Sequence, residues 1–220
     1  MSRALIIGSS GGIGKALKEE LEGTGCDVVG LSRTENGLDI TDEASIISVT
    51  AGLKGTFDTI LVATGSLSPR DQGPEKTYKV LDAETAALQF AVNSIGPMMI
   101  LKHTAHLLPR DSKAVFAVLS ARVGSIGDNN LGGWYSYRAS KAALNQFIRT
   151  ASIELARTHK RSICVALHPG TVATEFTRNY TTHTSVSSSV SSKNLLNVID
   201  GLTPQETGQF LDWAGNPIPW

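Results

Sequence analysis

Arg3-Ala4-Leu5-Ile6-Ile7 is followed by Gly8-Ser9-Ser10-Gly11-Gly12-Ile13-Gly14 and then by Lys15-Ala16-Leu17-Lys18-Glu19-Glu20-Leu21. The first run is short and apolar, as a buried strand requires, and the third has apolar residues at helical spacing. The glycines between them permit a tight turn, because glycine adopts positive φ at little cost. This order of strand, glycine turn and helix predicts an α/β fold.

The glycine turn also suits an anion. Gly12 and Gly14 would let the backbone approach a pyrophosphate, and the free N–H groups of the following helix would face it. The spacing Gly8-x-x-x-Gly12-x-Gly14 differs from the commoner G-x-G-x-x-G, and many βα turns contain glycine for geometry alone. We interpret Gly8, Ser10, Gly12, Ile13 and Gly14 as a candidate dinucleotide site.

Apolar runs alternate with helical patterns along the chain. Strands are also predicted at Asp27–Leu31, 57–63, Ala114–Leu119 and 162–167, and helices at 13–23, 42–53, 82–92, 97–108 and 134–159. The strands lack strict apolar–polar alternation, as parallel strands covered on both faces do. The pattern predicts a single doubly wound parallel-sheet (Rossmann) domain over 1–220, with helices on both faces. Ligands of such sheets bind outside the carboxyl ends of the strands.

Composition narrows the class of protein. The 220 residues suit one α/β domain, and 20 basic residues balance 20 acidic ones, so no overall charge favours nucleic acid or an anionic membrane. No apolar run is long enough for a membrane span or a signal peptide. Cys26 and Cys164 lie in apolar runs and are expected in the core rather than at a metal or in a disulfide. We therefore expect a cytoplasmic protein without a metal.

A second motif is Trp134-Tyr135-Ser136-Tyr137-Arg138-Ala139-Ser140-Lys141, which runs into a helical pattern. In one helix, Tyr137 and Lys141 would share a face because they are four residues apart. A nearby ammonium would lower the pKa of the tyrosine from about 10 towards neutrality, which suits acid–base catalysis. For these two residues alone, an ordinary polar pair on a helix surface is the alternative.

The glycine turn and Tyr137-x-x-x-Lys141 together resemble the short-chain dehydrogenase/reductase family over nearly the whole chain. The string 133–145 is most similar to its C-factor-like (sniffer-like) branch. The resemblance implies an NADP-dependent oxidoreductase that transfers hydride between nicotinamide and a small carbonyl or alcohol substrate. Tyr137 would be the acid/base, and Lys141 would hold the nicotinamide ribose. A dinucleotide-binding regulatory or signalling protein with little turnover is the alternative, since a signalling role is associated with this branch.

Residues after the second strand bear on the choice of cofactor. NAD-binding folds usually place an acidic residue there, whereas this chain has Ser32 and Arg33, which suit the 2′-phosphate of NADP(H). Glu35 complicates this interpretation, and a solvated Arg33 is the alternative. We expect NADP(H), with NAD(H) as the second choice. By resemblance, Asp39 and Ile40 would contact the adenine ring.

Two further motifs follow the next strand and a helix. Ala63-Thr64-Gly65 stands where the family has Asn-Ala-Gly, so Ala63 and Gly65 are expected at the cofactor without the Asn side chain. Asn93-Ser94-Ile95-Gly96 matches the family's Asn-x-x-Gly, in which the Asn kinks a helix and holds a water linked to the catalytic lysine. Locally, the same residues can simply mark a helix end.

The segment after the strand at 162–167 resembles the family's Pro-Gly-x-Val-x-Thr. Pro169, Gly170, Val172 and Thr174 are therefore expected at the nicotinamide, while His168 is expected to be structural. Residues 177–192 are rich in Ser and Thr, and the resemblance makes 175–203 the substrate lid. The apolar run 210–220 is expected to pack against the body or another subunit. The resemblance also implies a homodimer or homotetramer through helices 97–108 and 134–159.

The match is imperfect at Leu119-Ser120-Ala121-Arg122-Val123-Gly124-Ser125. Most family members have Ser-Ser-x-x-Gly, in which the second Ser polarises the substrate carbonyl, and alignment on Gly124 puts Ala121 there. Ser120 is our candidate for this task, and Ser125 is the second candidate. The alternative is that Tyr137 alone binds the oxygen.

Overall fold

The computed structural model describes residues 2–70, 73–178, 180 and 185–220. The strands in this part are β1 (Arg3–Ile7), β2 (Asp27–Leu31), β3 (Thr59–Val62), β4 (Ala114–Leu119), β5 (Ser162–His168) and β6 (Phe210–Asp212). They form one parallel sheet in the order β2-β1-β3-β4-β5-β6. The strand β2 lies on one side of β1, whereas β3 and the later strands are added on its other side. This change of side confirms the predicted doubly wound fold. The carboxyl ends of β1 and β3 flank the switch point, where such sheets bind ligands.

Seven helices accompany the strands in the described ranges. They are α1 (Gly12–Gly23), α2 (Arg33–Asn36), α3 (Glu43–Thr50), α4 (Ala83–Phe90), α5 (Gly96–Thr104), α6 (Tyr135–Thr158) and α7 (Ser188–Gly201). A π turn, Ala91–Ile95, joins α4 to α5. Side-chain caps fix several starts: Asp42 accepts a hydrogen bond from a backbone N–H at the start of α3, and Asp82 does so at α4.

Each face of the sheet has its own apolar core, because successive strand side chains point to opposite faces. Leu5 of β1 belongs to a core that includes Ile100 of α5 and Ile148 of α6. Ile6 belongs to a second core, with Leu195 of α7. Helices therefore cover both faces, as the apolar strands predict.

The segment 175–203, predicted as the substrate lid, contains a helix. Its second half is α7, which Leu195 and Ile199 anchor in the core with 0% and 3% of their surface exposed. The Ser- and Thr-rich sequence conceals this helix, since few apolar residues mark its buried stripe. A lid is a prediction only for the residues before α7, and among them 179 and 181–184 lie outside the described residues, His183 included.

The segment after β6 packs against the body of the protein, one of the two predicted alternatives. Ile218 is buried, and its N–H donates to the carbonyl oxygen of Phe210 at 2.8 Å. The rings of Phe210 and Trp220 stack with centroids 6.0 Å apart. The sequence predicts this packing but not β6 itself, because a three-residue strand shows no period.

Candidate active site

The glycine turn lies between β1 and α1. Gly8 has a φ of +88°, and its N–H donates to the carbonyl oxygen of Leu31 at 2.7 Å. A Cβ on Gly14 would collide with the carbonyl oxygen of Gly8, so only glycine lets α1 start this close to the turn. Gly11 and Gly12 are exposed and α1 has no side-chain cap, so no N-cap side chain accepts from the N–H groups of its first turn. This cradle fits a phosphate group.

The segment after β5 lies against this turn. A Cβ on Gly12 would come within 2.7 Å of the Thr174 side chain, so Thr174 adjoins the cradle. Gly170 has a φ of +80°, and the carbonyl oxygen of Pro169 accepts a hydrogen bond from the Ser191 hydroxyl of α7 at 2.9 Å. The predicted nicotinamide segment is thus fixed between the glycine turn and α7.

Four other predicted residues surround the glycine turn or lie in the segment after β5. Ala63 follows β3, and its Cβ would be 3.4 Å from a Cβ on Gly14. Ser10 is exposed in the turn, whereas Ile13 is partly buried against the core under α7. Val172 is 2% exposed, so its side chain is a packing group.

Ser32 and Arg33 begin α2 at the carboxyl end of β2. Ser32 is buried, and its hydroxyl oxygen accepts a hydrogen bond from the N–H of Glu35 at 3.2 Å. One carboxylate oxygen of Glu35 accepts hydrogen bonds from the hydroxyls of Ser9, at 3.2 Å, and Ser32, at 3.3 Å. Arg33 is exposed. A carboxylate thus adjoins the hydroxyl that the sequence assigns to a 2′-phosphate.

Asp39 and Ile40 lie between α2 and α3. One oxygen of the Asp39 carboxylate accepts hydrogen bonds from the hydroxyl of Thr41 at 2.7 Å and from its N–H at 2.8 Å. These bonds hold the pKa of Asp39 below its usual range. Ile40 is partly buried, and a Cβ on Gly96 would meet its side chain at 2.6 Å. Ile40 therefore packs against the start of α5, while Asp39 is exposed.

Tyr137 and Lys141 lie one turn apart near the start of α6, and they are 6% and 3% exposed. The ammonium nitrogen of Lys141 donates to the carbonyl oxygen of Leu119, the last residue of β4, at 2.7 Å. A Cβ on Gly65 would lie 3.7 Å from that nitrogen and 3.4 Å from Oδ1 of Asn93. Residues predicted from three separate motifs therefore meet at the carboxyl ends of β3 and β4.

Burial controls the charges of this pair. It raises the pKa of Tyr137, since a buried phenolate loses its hydration. It lowers the pKa of Lys141 to about 7 for the same reason. The predicted lowering of the Tyr137 pKa is wrong for this structure, because burial disfavours the phenolate and raises the pKa instead.

Asn93 lies within the π turn and connects two parts of the site. Its Oδ1 accepts a hydrogen bond from the N–H of Ser66 at 2.8 Å, and its Nδ2 donates to the carbonyl oxygen of Ser66 at 2.9 Å. Nδ2 also contacts the hydroxyl of Ser140 at 3.1 Å, and that hydroxyl donates to the carbonyl oxygen of Tyr137 at 2.8 Å. Asn93 thus ties the segment after β3 to the turn of α6 that holds Tyr137.

Ser120 follows β4 and is 4% exposed. Its hydroxyl donates to Oδ1 of Asn145, one turn beyond Lys141, at 2.6 Å. Nδ2 of Asn145 is buried without a hydrogen-bond partner among the described residues. The Ser125 hydroxyl oxygen accepts a hydrogen bond from the N–H of Asp128 at 3.1 Å. Asn145 is not among the predicted site residues, although its spacing of four from Lys141 puts both on one helix face.

Aromatic rings adjoin Tyr137. Trp134 meets it edge-on with centroids 6.1 Å apart, and Phe176 lies at 6.2 Å. Tyr180 meets Trp134 at 5.8 Å. The backbone N–H of Trp134 donates to the carbonyl oxygen of Glu75 at 2.5 Å. Trp134, Phe176 and Tyr180 are not among the predicted site residues, because they come from two segments far apart in the chain.

Comparison with known proteins shows the family to which the chain belongs. A family model described as enoyl-(acyl carrier protein) reductase matches residues 32–211. The chain is 30% identical to 1-hydroxy-2-glutathionyl-2-methyl-3-butene dehydrogenase of Rhodococcus sp. strain AD45 over 100% of both chains. It is 34% identical to C-signal of Myxococcus xanthus over 64% of this chain and 81% of C-signal. A crystal structure from Burkholderia multivorans with bound NADP is 29% identical and superposes with a TM-score of 0.86, covering 100% of this chain and 99% of that one. The chain therefore belongs to the short-chain dehydrogenase/reductase family, in the C-factor-like branch that its sequence indicates.

Proposed function

We propose that this protein is an NADP(H)-dependent oxidoreductase that interconverts a small carbonyl compound and its alcohol. The convergence of Tyr137, Lys141, Asn93 and Gly65 at the carboxyl ends of β3 and β4 carries the proposal. Family membership and the NADP bound in the Burkholderia structure support it. A bound nicotinamide would supply or accept the hydride.

Tyr137 acts as the proton donor in reduction. Because burial raises its pKa, its phenol is protonated at neutral pH and can give a proton to a carbonyl oxygen. Lys141, with a pKa of about 7, gains charge readily and would stabilise the phenolate that remains. Asn93 supports the return of the proton, since it connects the backbone of Ser66 to the turn of Tyr137.

The cofactor would lie along the carboxyl edge of the sheet. The uncapped N–H groups at the start of α1 would hold its pyrophosphate, and Lys141 would hold its nicotinamide ribose. We propose the remaining contacts from the family resemblance, grouped by the part of the cofactor that they would contact. They are Gly8, Ser10, Gly12, Ile13 and Gly14 at the phosphates; Ser32, Arg33, Asp39 and Ile40 at the adenosine; and Ala63, Gly65, Asn93, Tyr137, Pro169, Gly170, Val172 and Thr174 towards the nicotinamide.

Two opposed charges decide between NADPH and NADH. Arg33→Ala is expected to weaken NADPH binding about tenfold and to leave NADH binding unchanged, because only NADPH has a 2′-phosphate for the guanidinium. Glu35→Gln is expected to strengthen NADPH binding about threefold, since the carboxylate at Ser9 and Ser32 would repel that phosphate. Quenching of tryptophan fluorescence measures the affinity of each of the two variants for NADPH and for NADH.

The wild-type titration is the test of the proposed function itself. Tight NADPH binding with weak NADH binding supports it, whereas equal or stronger NADH binding contradicts the role of Arg33. Absence of binding of either dinucleotide would contradict the enzyme proposal as a whole.

Ser120 remains our candidate for polarising the carbonyl, and Asn145 controls its proton. The hydroxyl now donates to Oδ1, but a half-turn of the amide would bring the unpaired Nδ2 to Ser120 and free the hydroxyl proton. Asn145→Asp removes this option, because a carboxylate can only accept. We expect Ser120→Ala and Asn145→Asp each to lower kcat roughly 10- to 100-fold. Ser125→Ala is the control, and we expect it to leave kcat unchanged. An equal loss of kcat in Ser125→Ala would contradict the assignment of carbonyl polarisation to Ser120.

The similarity to C-signal favours a second candidate, a dinucleotide-binding regulatory or signalling protein with little turnover. The loss of the family's serine at Ala121 and of its Asn side chain before Gly65 supports it. Turnover against a broad carbonyl panel, compared with the cofactor affinity, distinguishes the two functions. Micromolar affinity without turnover on any member of the panel would favour signalling.

None of the described helices is both long and apolar enough to cross a membrane. We propose a small-molecule partner, a cytoplasmic location, and a homodimer or homotetramer formed through α5 and α6. Phe147 and Ile153, which are 41% and 51% exposed on α6, support that interface.

A further inference from the structure

We propose that the site accepts a neutral carbonyl compound with a planar aromatic group, held by Trp134, Phe176 and Tyr180 beside Tyr137. We name these three residues the aromatic collar. The inference rests on the proposed function, because it names the substrate class of the same site.

The collar presents apolar rings to solvent at the place where Tyr137 is buried. Phe176 and Tyr180 are 38% and 36% exposed, and Trp134 is partly buried. The rings meet at 5.8–6.2 Å in tilted or edge-on arrangements, the geometries in which aromatic rings attract one another. Exposed apolar surface beside a reactive group indicates a binding site for an apolar ligand.

The backbone of Trp134 is held in a conformation that bulky residues avoid. It has a φ of +53°, the one positive φ of a non-glycine residue in the described ranges. Glu75 enforces it: its carbonyl oxygen accepts from the Trp134 N–H at 2.5 Å, and its carboxylate binds both the hydroxyl and the N–H of Ser136. Backbone strain that neighbouring hydrogen bonds maintain is typical of functional positions. In this conformation the indole of Trp134 lies against the ring of Tyr137.

Two segments meet at the collar, one after β3 and one after β5. A Cβ on Gly73 would meet the hydroxyl of Tyr180 at 2.5 Å, and a Cβ on Gly65 would lie 3.8 Å from the ring of Phe176. Only glycine at position 73 lets Tyr180 approach this closely, whereas the contact of Phe176 at Gly65 is an ordinary one. The collar therefore contacts both segments rather than one loop.

The charges near the collar oppose an anionic substrate. Arg138 donates to the carbonyl oxygens of Gly133 and Val123, and Arg178 pairs with Glu175. These cations are already engaged, and the Glu75 carboxylate would repel an anion. A neutral aromatic carbonyl fits this surface better than a charged acyl thioester or glutathione conjugate.

The test compares 2-acetylnaphthalene with its saturated analogue 2-acetyldecalin, which has the same carbon skeleton. We expect Phe176→Leu and Tyr180→Leu each to lower kcat/KM for the aromatic ketone roughly five- to tenfold, and to change that for the saturated ketone less than twofold. Tyr78→Leu is the matched control, since Tyr78 is 64% exposed outside the collar. Equal losses for both ketones would overturn the inference.

Trp134→Gly separates folding from recognition, because glycine adopts a φ of +53° without strain. This variant should melt no lower than the wild type and should lose the preference for the aromatic ketone. A retained preference would overturn the inference, as would faster reduction of a carbonyl-bearing glutathione conjugate than of 2-acetylnaphthalene.

Failure of the proposed function can be recognised separately. If neither ketone is reduced, calorimetric titration with 1-(2-naphthyl)ethanol and its decalinyl analogue decides the inference without turnover. Binding of the naphthyl compound at least fivefold tighter, and its loss in Trp134→Gly, supports the aromatic collar. Equal or undetectable binding of both alcohols overturns it.

Discussion

Tyr137→Phe is expected to lower kcat for carbonyl reduction at least about 1,000-fold, because it removes the proposed proton donor. The ring remains in place, so the dissociation constant for NADPH should change less than about threefold. Single-turnover reduction and fluorescence titration measure the two quantities. Tyr135→Phe is the matched control, since Tyr135 lies on the same turn but is 38% exposed.

The pH dependence of the wild type gives an independent measurement. A donor must be protonated, and burial raises the pKa of Tyr137 above its ordinary value of about 10. The rate of the reduction step should therefore not fall between pH 7 and about 9 through loss of the phenol proton. Retained turnover in Tyr137→Phe would remove Tyr137 from the mechanism.

Lys141→Met should affect activity and stability in opposite directions. We expect reduction to fall at least about 100-fold, since the variant has no charge for the phenolate or hydrogen-bond donor for a ribose. The folded protein should nevertheless gain roughly 3 kcal/mol at pH 6. Burial lowers the pKa of Lys141 from 10.5 to about 7, so the charged side chain destabilises the folded state at pH 6. This destabilisation exceeds the stabilisation from its hydrogen bond to Leu119.

The pH window of this gain follows from proton binding. Between about pH 7 and pH 10, the unfolded state binds a proton at Lys141 that the folded state has released, so wild-type stability rises with pH. The advantage of Lys141→Met should be full below pH 7 and small near pH 10. Urea unfolding at three pH values measures it, and Lys15→Met is the control because the Lys15 side chain is 68% exposed. Equal stability of variant and wild type at pH 6 would contradict a buried charge.

Local patterns were sufficient for most of the fold. Continuous apolar strands such as Ala114–Leu119 and the long amphipathic pattern of α6 are visible because burial on both faces of a sheet, or on one face of a helix, imposes a period. The helix α7 and the strand β6 were missed. The former has a Ser- and Thr-rich sequence around its few apolar anchors, and the latter is too short to show a period.

By itself, the sequence determined the parallel α/β class, the glycine turn and the Tyr137–Lys141 pair, because each depends on residues close together in the chain. Only the tertiary structure decided the direction of the Tyr137 pKa shift, since burial depends on what packs over the side chain. It also decided that Glu35 adjoins Ser9, that Asn145 holds Ser120, and that Phe176 lies beside Tyr137. These contacts join residues that the chain separates by up to about 40 positions, and the crossovers of a parallel sheet alone bring them together.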